Sequence, residues 1–322
     1  MRALITGAAG FIGHNVVYYL EKQGVECFGV DNRTNYGFIP ADELDYLIRG
    51  RLRKIRSSPL VGDIRNTEDM RSRVGTFSCD TIIHLASFPR QKVVQQSPVV
   101  ASEVMITGLI NLLEAAVVHK VKKFVYISSS MVYGNFESGV NESAVCCPQG
   151  QYGIMKYMGE KLVEDYCTRH AIPYIIIRPS AVYGEWDVED RVVSKFALAA
   201  LRDQELTVRG ANERLDFTHV DDTAQGIVAG ILSKNTANKI YNITRSDSNT
   251  LTLLQAAELI TEIVGKGSIK VADRDLNFPS RGRLSIDRAQ QDFNFDPKIN
   301  VKEGFERYID WLKSSTYWQS RL

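Results

Sequence analysis

Residues 148–161 read PQGQYGIMKYMGEK, with two tyrosines each followed four positions later by a lysine: Tyr152 with Lys156, and Tyr157 with Lys161. On a helix, residues four apart share a face, so either lysine could stabilise its tyrosine as a phenolate. A tyrosine acidified in this way can take a proton from a substrate hydroxyl and return it. Residues five apart differ by about 500°, which leaves the two pairs roughly 140° apart around the axis. Only one pair can look into a cleft. Upstream, KFVYISSSMVYGN ends an apolar run with Ser128, Ser129 and Ser130. At the carboxyl edge of a parallel sheet such hydroxyls face the ligand crevice, where a serine can hold a substrate oxygen while a tyrosine moves its proton.

A second group of residues points to the other reactant. ITGAAGFIGHN places Gly7, Gly10 and Gly13 directly after the first apolar run and at the start of a helical pattern. Glycines allow the tight turn and the approach of a pyrophosphate. The helix N-terminus at Phe11 and Ile12 supplies free N–H groups and a favourable dipole for the anion. Asp31, 18 residues after Gly13 and followed by Asn32, ends the second apolar run. A carboxylate there accepts from both ribose hydroxyls of NAD and repels the 2′-phosphate of NADP, although Arg33 beside it leaves NADP open. Asp31 in VDNRTN would also serve simply as a turn residue.

The elements that must carry these residues are legible in the first half. RALIT (2–6), VECFGV (25–30), LVG (60–62), TIIHLA (81–86), KFVYIS (123–128) and YIIIR (174–178) are continuous apolar runs, as strands buried on both faces should be. Helical stretches lie between them, notably 11–23 and the strongly apolar 99–118. That alternation predicts an α/β fold: a doubly wound parallel (Rossmann) sheet with right-handed crossovers over 1–178. Over 179–322, short strands (206–208, 215–220, 240–243) mix with helices at 192–202, 222–233, 252–264 and 301–313. This part reads as a smaller α/β substrate lobe, with some chain crossing back to the first domain.

Composition narrows the class. Lys and Arg (39) nearly cancel Asp and Glu (38), so there is no global electrostatic case for nucleic acid or a membrane surface. The basic run RGRLRKIR (49–56) reads as a solvated helix end or loop, with a subunit contact as the alternative. The N-terminus carries too little apolar sequence before its glycines for a signal peptide, and no apolar run reads as a membrane span. The five cysteines show no metal-ligand spacing, so no metal is expected, and their odd number argues against a disulfide framework. The expectation is a cytoplasmic α/β protein.

Taken together, the motifs resemble the extended short-chain dehydrogenase/reductase family, specifically its nucleotide-sugar epimerases and dehydratases. The family pattern is a proline, then Y-G-x-S-K, with a glutamate four beyond the lysine; Pro148, Tyr152, Gly153, Lys156 and Glu160 fit it. That register selects the first pair. Tyr152 is then the acid–base, Lys156 both acidifies it and holds the cofactor ribose, and Ser129 is the catalytic Ser/Thr. Tyr157 and Lys161 become packing and surface residues. The resemblance further implies Asp63 and Ile64 near the adenine, and Leu85, Ala86 and Ser87 after His84 beside the cofactor. RPSAVYG (178–184), LDFTHVDD (215–222) and SIDRA (285–289) match later family segments.

Family dehydratases carry an Asp–Glu pair directly after the catalytic residue, and some relatives place a Glu just before VYG. Here Ser130 and Met131 stand in those positions, so the resemblance favours a 4-epimerase on a nucleoside-diphosphate sugar with tightly bound NAD. Lys92, Ser130, Arg214 and Arg281 are its expected substrate contacts, and a homodimer through 99–118 and 151–169 is the expected assembly. The chain also departs from the family: Ala181 replaces a frequent Asn, Leu215 and Lys92 replace frequent Args, and Met105 replaces a helix Asn. Three alternatives stand beside the epimerase. One is an NAD(P)-dependent nucleotide-sugar dehydrogenase or 4-ketoreductase. Another is a non-catalytic NAD-binding sensor or scaffold. The third is a specialised reductase or epimerase of deoxysugar synthesis, acting on a 4-keto intermediate.

Overall fold

The computed structural model describes residues 1–34, 36–247 and 250–322. Its strands are β1 (Arg2–Thr6), β2 (Glu26–Asp31), β3 (Leu60–Val61), β4 (Thr81–His84), β5 (Lys123–Ile127), β6 (Tyr174–Pro179), β7 (Val182–Tyr183), β8 (Glu205–Arg209), β9 (Thr218–His219), β10 (Lys239–Ile243) and β11 (Ser268–Ala272). Seven of them form one sheet in the order β10-β6-β5-β4-β1-β2-β3, and every pairing is parallel. The apolar runs are continuous because both faces of the sheet are covered. Leu4, Ile82, Phe124 and Ile176 enter one core, while Ala3, Ile5, Ile83, Val125, Ile175 and Ile177 enter the other. Strand order reverses between β1 and β4, which opens a crevice at their carboxyl ends.

Two expectations for the second half are revised. Residues 240–243, read as part of the smaller lobe, form β10 and extend the main sheet beside β6. The run LDFTHV (215–220) is extended only briefly, because Val220 already opens the helix Val220–Leu232. The His219 side chain accepts from the Asp221 N–H there, and Asp221 and Asp222 place negative charge at the positive end of the helix dipole. A third core unites the helices Val192–Leu201, Leu253–Val264 and Val301–Ser314 with Trp318.

The helix expected at 99–118 runs from Pro98 to Val118 and contains a π-helical turn, Glu103–Thr107. By length and composition it could cross a membrane, contrary to the expectation that no run would. Here it lies against the sheet, with Val104, Met105, Leu109, Leu112, Leu113, Ala115 and Ala116 buried. The basic run also departs from expectation. Arg49 is exposed and pairs with Asp45, but Arg51 is buried, and Lys54 donates to Asn15 Oδ1 at 2.5 Å.

Candidate active site

The glycine loop follows β1 at the sheet's switch point. Gly7 has φ +72°, and a Cβ there would lie 2.7 Å from the Ala86 nitrogen. A Cβ on Gly13 would lie 2.0 Å from the Gly7 carbonyl oxygen, so no side chain fits between loop and helix. The helix Phe11–Lys22 begins here, and the N–H groups of its first turn, Phe11 and Ile12 among them, have no partners within the helix. Asp31 accepts from the Ala9 N–H at 3.0 Å and the Arg33 N–H at 2.7 Å. Burial pushes its carboxyl up, against those two bonds and the charges of Arg51 and Arg33. This bare, donor-lined turn with a carboxylate at the next strand end fits a dinucleotide.

Gly7, Gly10, Phe11, Ile12, Gly13, Asp31, Asn32, Ile64, Leu85, Ala86 and Ser87 all line one cavity of about 1010 Å³. Asp63 is not part of that wall. Arg65 engages its carboxylate at 2.8 and 3.0 Å, and Asn32 donates to it at 3.3 Å. These bonds hold the Asp63 carboxyl down at about 2. Arg33 donates to the Pro59 carbonyl at 3.1 Å, which occupies part of its guanidinium.

The same cavity reaches Ser129, Ser130, Tyr152 and Lys156. Tyr152 and Lys156 share a face of the helix Gly150–Arg169, while Tyr157 packs into a small cluster around Tyr133 and Lys161 pairs with Glu164. Burial pushes the Tyr152 phenol up, and the Arg191 charge and the neighbouring Ser129 hydroxyl pull it down. Lys156 is 4% exposed and donates to the Ile127 carbonyl at 2.7 Å. Burial lowers its ammonium to about 7, against the raising charge of Glu160. His84 at the end of β4 bonds Thr6 Oγ1 at 2.8 Å and is buried neutral, its pKa held near 3 first by burial and then by the Lys156 charge.

The expected substrate contacts Lys92, Ser130, Arg214 and Arg281 also reach the cavity. Ser130 Oγ donates to Ser180 Oγ at 3.0 Å. Arg214 donates to the Thr250 carbonyl, which leaves it less free than a dedicated anion contact. Among the described residues the Arg281 Nε is buried without a hydrogen-bond partner, and burial lowers its guanidinium to about 10.

Several residues here carry no signal in the sequence. Gln91 lends its Oε1 to the Tyr152 N–H at 2.9 Å, doing from a distant segment what the N-cap residue Gln149 does not do for this helix. Arg191 precedes the helix Val192–Leu201 at the cavity wall without capping it; its side chain pairs with Asp187 at 3.6 Å, and its charge is felt at Tyr152 and Arg281. Beneath Lys156, Glu160 accepts from Ser128 Oγ at 2.5 Å and from Arg178 at 2.9 and 2.6 Å. Only the spacing of Glu160 from Lys156 hints at this last network.

A switch-point glycine cradle sharing a cavity with a Ser–Tyr–Lys group defines a dinucleotide-dependent enzyme. The model of the NAD dependent epimerase/dehydratase family matches residues 3–244, and the chain belongs to that family. It is 28% identical over 323 residues to the uncharacterized UDP-glucose epimerase YtcB of Bacillus subtilis (strain 168), covering 98% of both chains. It is also 28% identical over 319 residues to a UDP-glucuronate 4-epimerase of Thermodesulfobacterium geofontis (strain OPF15), covering 97% of this chain and 96% of the relative. Among solved structures, the UDP-glucuronic acid 4-epimerase from Bacillus cereus in complex with UDP-glucuronic acid and NAD superposes with a TM-score of 0.88 at 28% identity. That match covers 97% of this chain and 99% of the other.

Proposed function

We propose that this chain is a nucleoside-diphosphate-sugar 4-epimerase working with tightly held NAD. The observation that carries the reading is the grouping of Ser129, Tyr152 and Lys156 on one cavity, with Ser130 and Met131 where an eliminating enzyme needs carboxylic acids. The 4-epimerases among the relatives and the B. cereus complex support it.

The glycine loop, Asp31 and Lys156 would hold the cofactor, with Asn32, Ile64, Leu85, Ala86 and Ser87 around it. The chemistry that bound NAD supplies is acceptance of the C4 hydride and its return to the opposite face, with no net redox change. The chain's own residues manage protons and orientation. Tyr152, as phenolate, takes the proton of the 4-hydroxyl and later gives it back. Ser129 holds that oxygen through both halves, and Lys156 keeps the phenolate favourable by charge. Between the halves the sugar turns over about its phosphate linkage. Lys92, Ser130, Arg214 and Arg281 would anchor the sugar and diphosphate. Residues 1–178 would then be the cofactor domain and 179–322 mainly the substrate lobe, in a cytoplasmic homodimer.

The test is proton NMR of the purified protein with UDP-, GDP- and dTDP-sugars and no added cofactor. New anomeric signals approaching an equilibrium mixture support the epimerase and name its substrate. Conversion only after NAD(H) or NADP(H) is supplied would replace it with the dehydrogenase or ketoreductase reading.

A further inference from the structure

Arg51 sits in the middle of the basic run on the helix Ala41–Arg53, yet only 4% of it is exposed. Its guanidinium reaches two separate backbones. Nη1 donates to the Ala9 carbonyl in the glycine loop at 3.2 Å, and Nε and Nη2 donate to the Trp186 carbonyl at 3.1 and 2.7 Å. Ala9 is in the dinucleotide cradle. Trp186 belongs to the segment 184–191, which follows β7 and ends at Arg191 beside Tyr152. Arg51 also lines the cavity that both share. Burial lowers its guanidinium to about 10 while Asp187, Asp31 and Glu43 support the charge, so it is cationic at neutral pH.

The segment 184–191 takes part of its position from the helix that carries Arg51, beside contacts from Arg90, Arg202 and His219. Trp186 has φ +70°, a conformation a bulky side chain keeps only where its contacts over-determine it. Those contacts come from that helix and from Trp311, whose ring centroid lies 5.2 Å from the indole. Gly50 leaves room for the indole, since a Cβ there would lie 1.9 Å from Trp186 Cζ3. Tyr46 packs on the indole with ring centroids 5.5 Å apart, and Glu43 Oε1 accepts from the Glu189 N–H at 2.7 Å. A guanidinium is a rigid planar fork. If one carbonyl moves, the buried Arg51 must either follow it or lose a bond.

We propose that Arg51 is a positioning residue that couples the glycine loop to the 184–191 segment, so that a dinucleotide on the loop and a nucleoside diphosphate in the facing half bind with positive cooperativity. This inference rests on the nucleotide-sugar reading of the site and adds a thermodynamic link between its two halves. Coupling of this kind is reciprocal, so each ligand tightens the other by the same factor.

The experiment is calorimetric titration of NAD into protein stripped of cofactor, with and without saturating UDP, GDP or dTDP. In the unmodified protein the best diphosphate is expected to tighten NAD by about fivefold or more. Arg51→Met should bring that factor to within about twofold of unity while weakening both ligands. Arg51→Lys, which keeps the charge but cannot bridge both carbonyls as a fork, should also lose most of the coupling, and it decides the matter if the methionine variant does not fold. Gly50→Ala, whose Cβ would lie 1.9 Å from Trp186 Cζ3, should displace Trp186 and with it the Arg51 bridge, so it too should lower the coupling factor, and an unchanged factor would count against the bridge. Full coupling in Arg51→Lys, or independent binding of both ligands to the unmodified protein, would overturn this inference alone. Failure of the unmodified protein to bind any of the three diphosphates would overturn the nucleotide-sugar reading, and the coupling with it.

Discussion

Glu160 and Arg178 close an ion pair inside the protein, Arg178 Nη2 to Glu160 Oε2 at 2.6 Å, with 0% and 2% of their side chains exposed. Glu160 lies one helical turn beyond Lys156 and also accepts from Ser128 Oγ. The peptide between Ile127 and Ser128 is therefore pinned from several sides: the Ile127 carbonyl accepts from Lys156, and the Ser128 N–H donates to the Ile177 carbonyl at 2.7 Å. The pair is the support on which Lys156 rests.

Glu160→Gln should therefore be costly. It keeps the shape but leaves the Arg178 charge buried without its counter-ion, a loss of about 3–5 kcal/mol. Urea unfolding at pH 7 measures it. A loss below about 1 kcal/mol would mean that solvent reaches Arg178 more easily than its burial implies.

Lys156→Met should separate stability from activity. The Lys156 pKa is about 7 in the fold against 10.5 for a solvated lysine, so between these values the unfolded chain binds more protons. Stability then rises with pH through that window. Replacing the lysine removes a penalty that is fully present below pH 7 and fades towards 10.5. After loss of the bond to Ile127, the variant should be more stable than the parent by about 1–2 kcal/mol at pH 6, with little gain at pH 10. Its turnover should fall by about 10²-fold or more. Thermal melts at the two pH values check the sign; a larger gain at pH 10 would contradict it.

How far these relationships are legible in the chain depends on how local they are. The strands β1, β2, β4, β5 and β6 announce themselves because a sheet covered on both faces demands unbroken apolar runs. The glycine loop is legible because its backbone tolerates no side chain, and Tyr152 and Lys156 because helix periodicity puts them on one face. β10 escapes its true sheet because pairing β6 across 60-odd residues of intervening chain leaves no mark in IYNI itself. Arg51 and Gln91 are hidden for the same reason. Their partners, Ala9, Trp186 and Tyr152, are distant in sequence, and an arginine in a basic run resembles its solvated neighbours until the fold buries it.

Tyr152→Phe should lower turnover by about 10²–10⁴-fold, since no other acid–base group is assigned to the 4-hydroxyl. Arg191 offers a finer test because its charge pulls the Tyr152 phenol down. A phenolate base is active above its pKa, so Arg191→Met should move the acidic limb of the kcat–pH profile to higher pH. An unmoved limb with a raised KM would instead make Arg191 a substrate contact only.

The assembly can be tested on a surface that the fold leaves uncovered. Ile154 and Met158, four residues apart on the helix Gly150–Arg169, are 50% and 49% exposed, and Val99 near the start of the long apolar helix is 69% exposed. Each such side chain gains about 1.5–3 kcal/mol when fully buried, and half-exposed ones correspondingly less. A second copy of this face is the partner the homodimer reading supplies. Light scattering at micromolar concentration should then give twice 36.2 kDa for the parent protein. The Ile154→Glu, Met158→Glu double variant should return to the monomer mass with its far-UV dichroism unchanged, because both side chains point away from the cores. A parent protein that is already monomeric would remove the dimer from the proposed function and leave the cavity chemistry untouched.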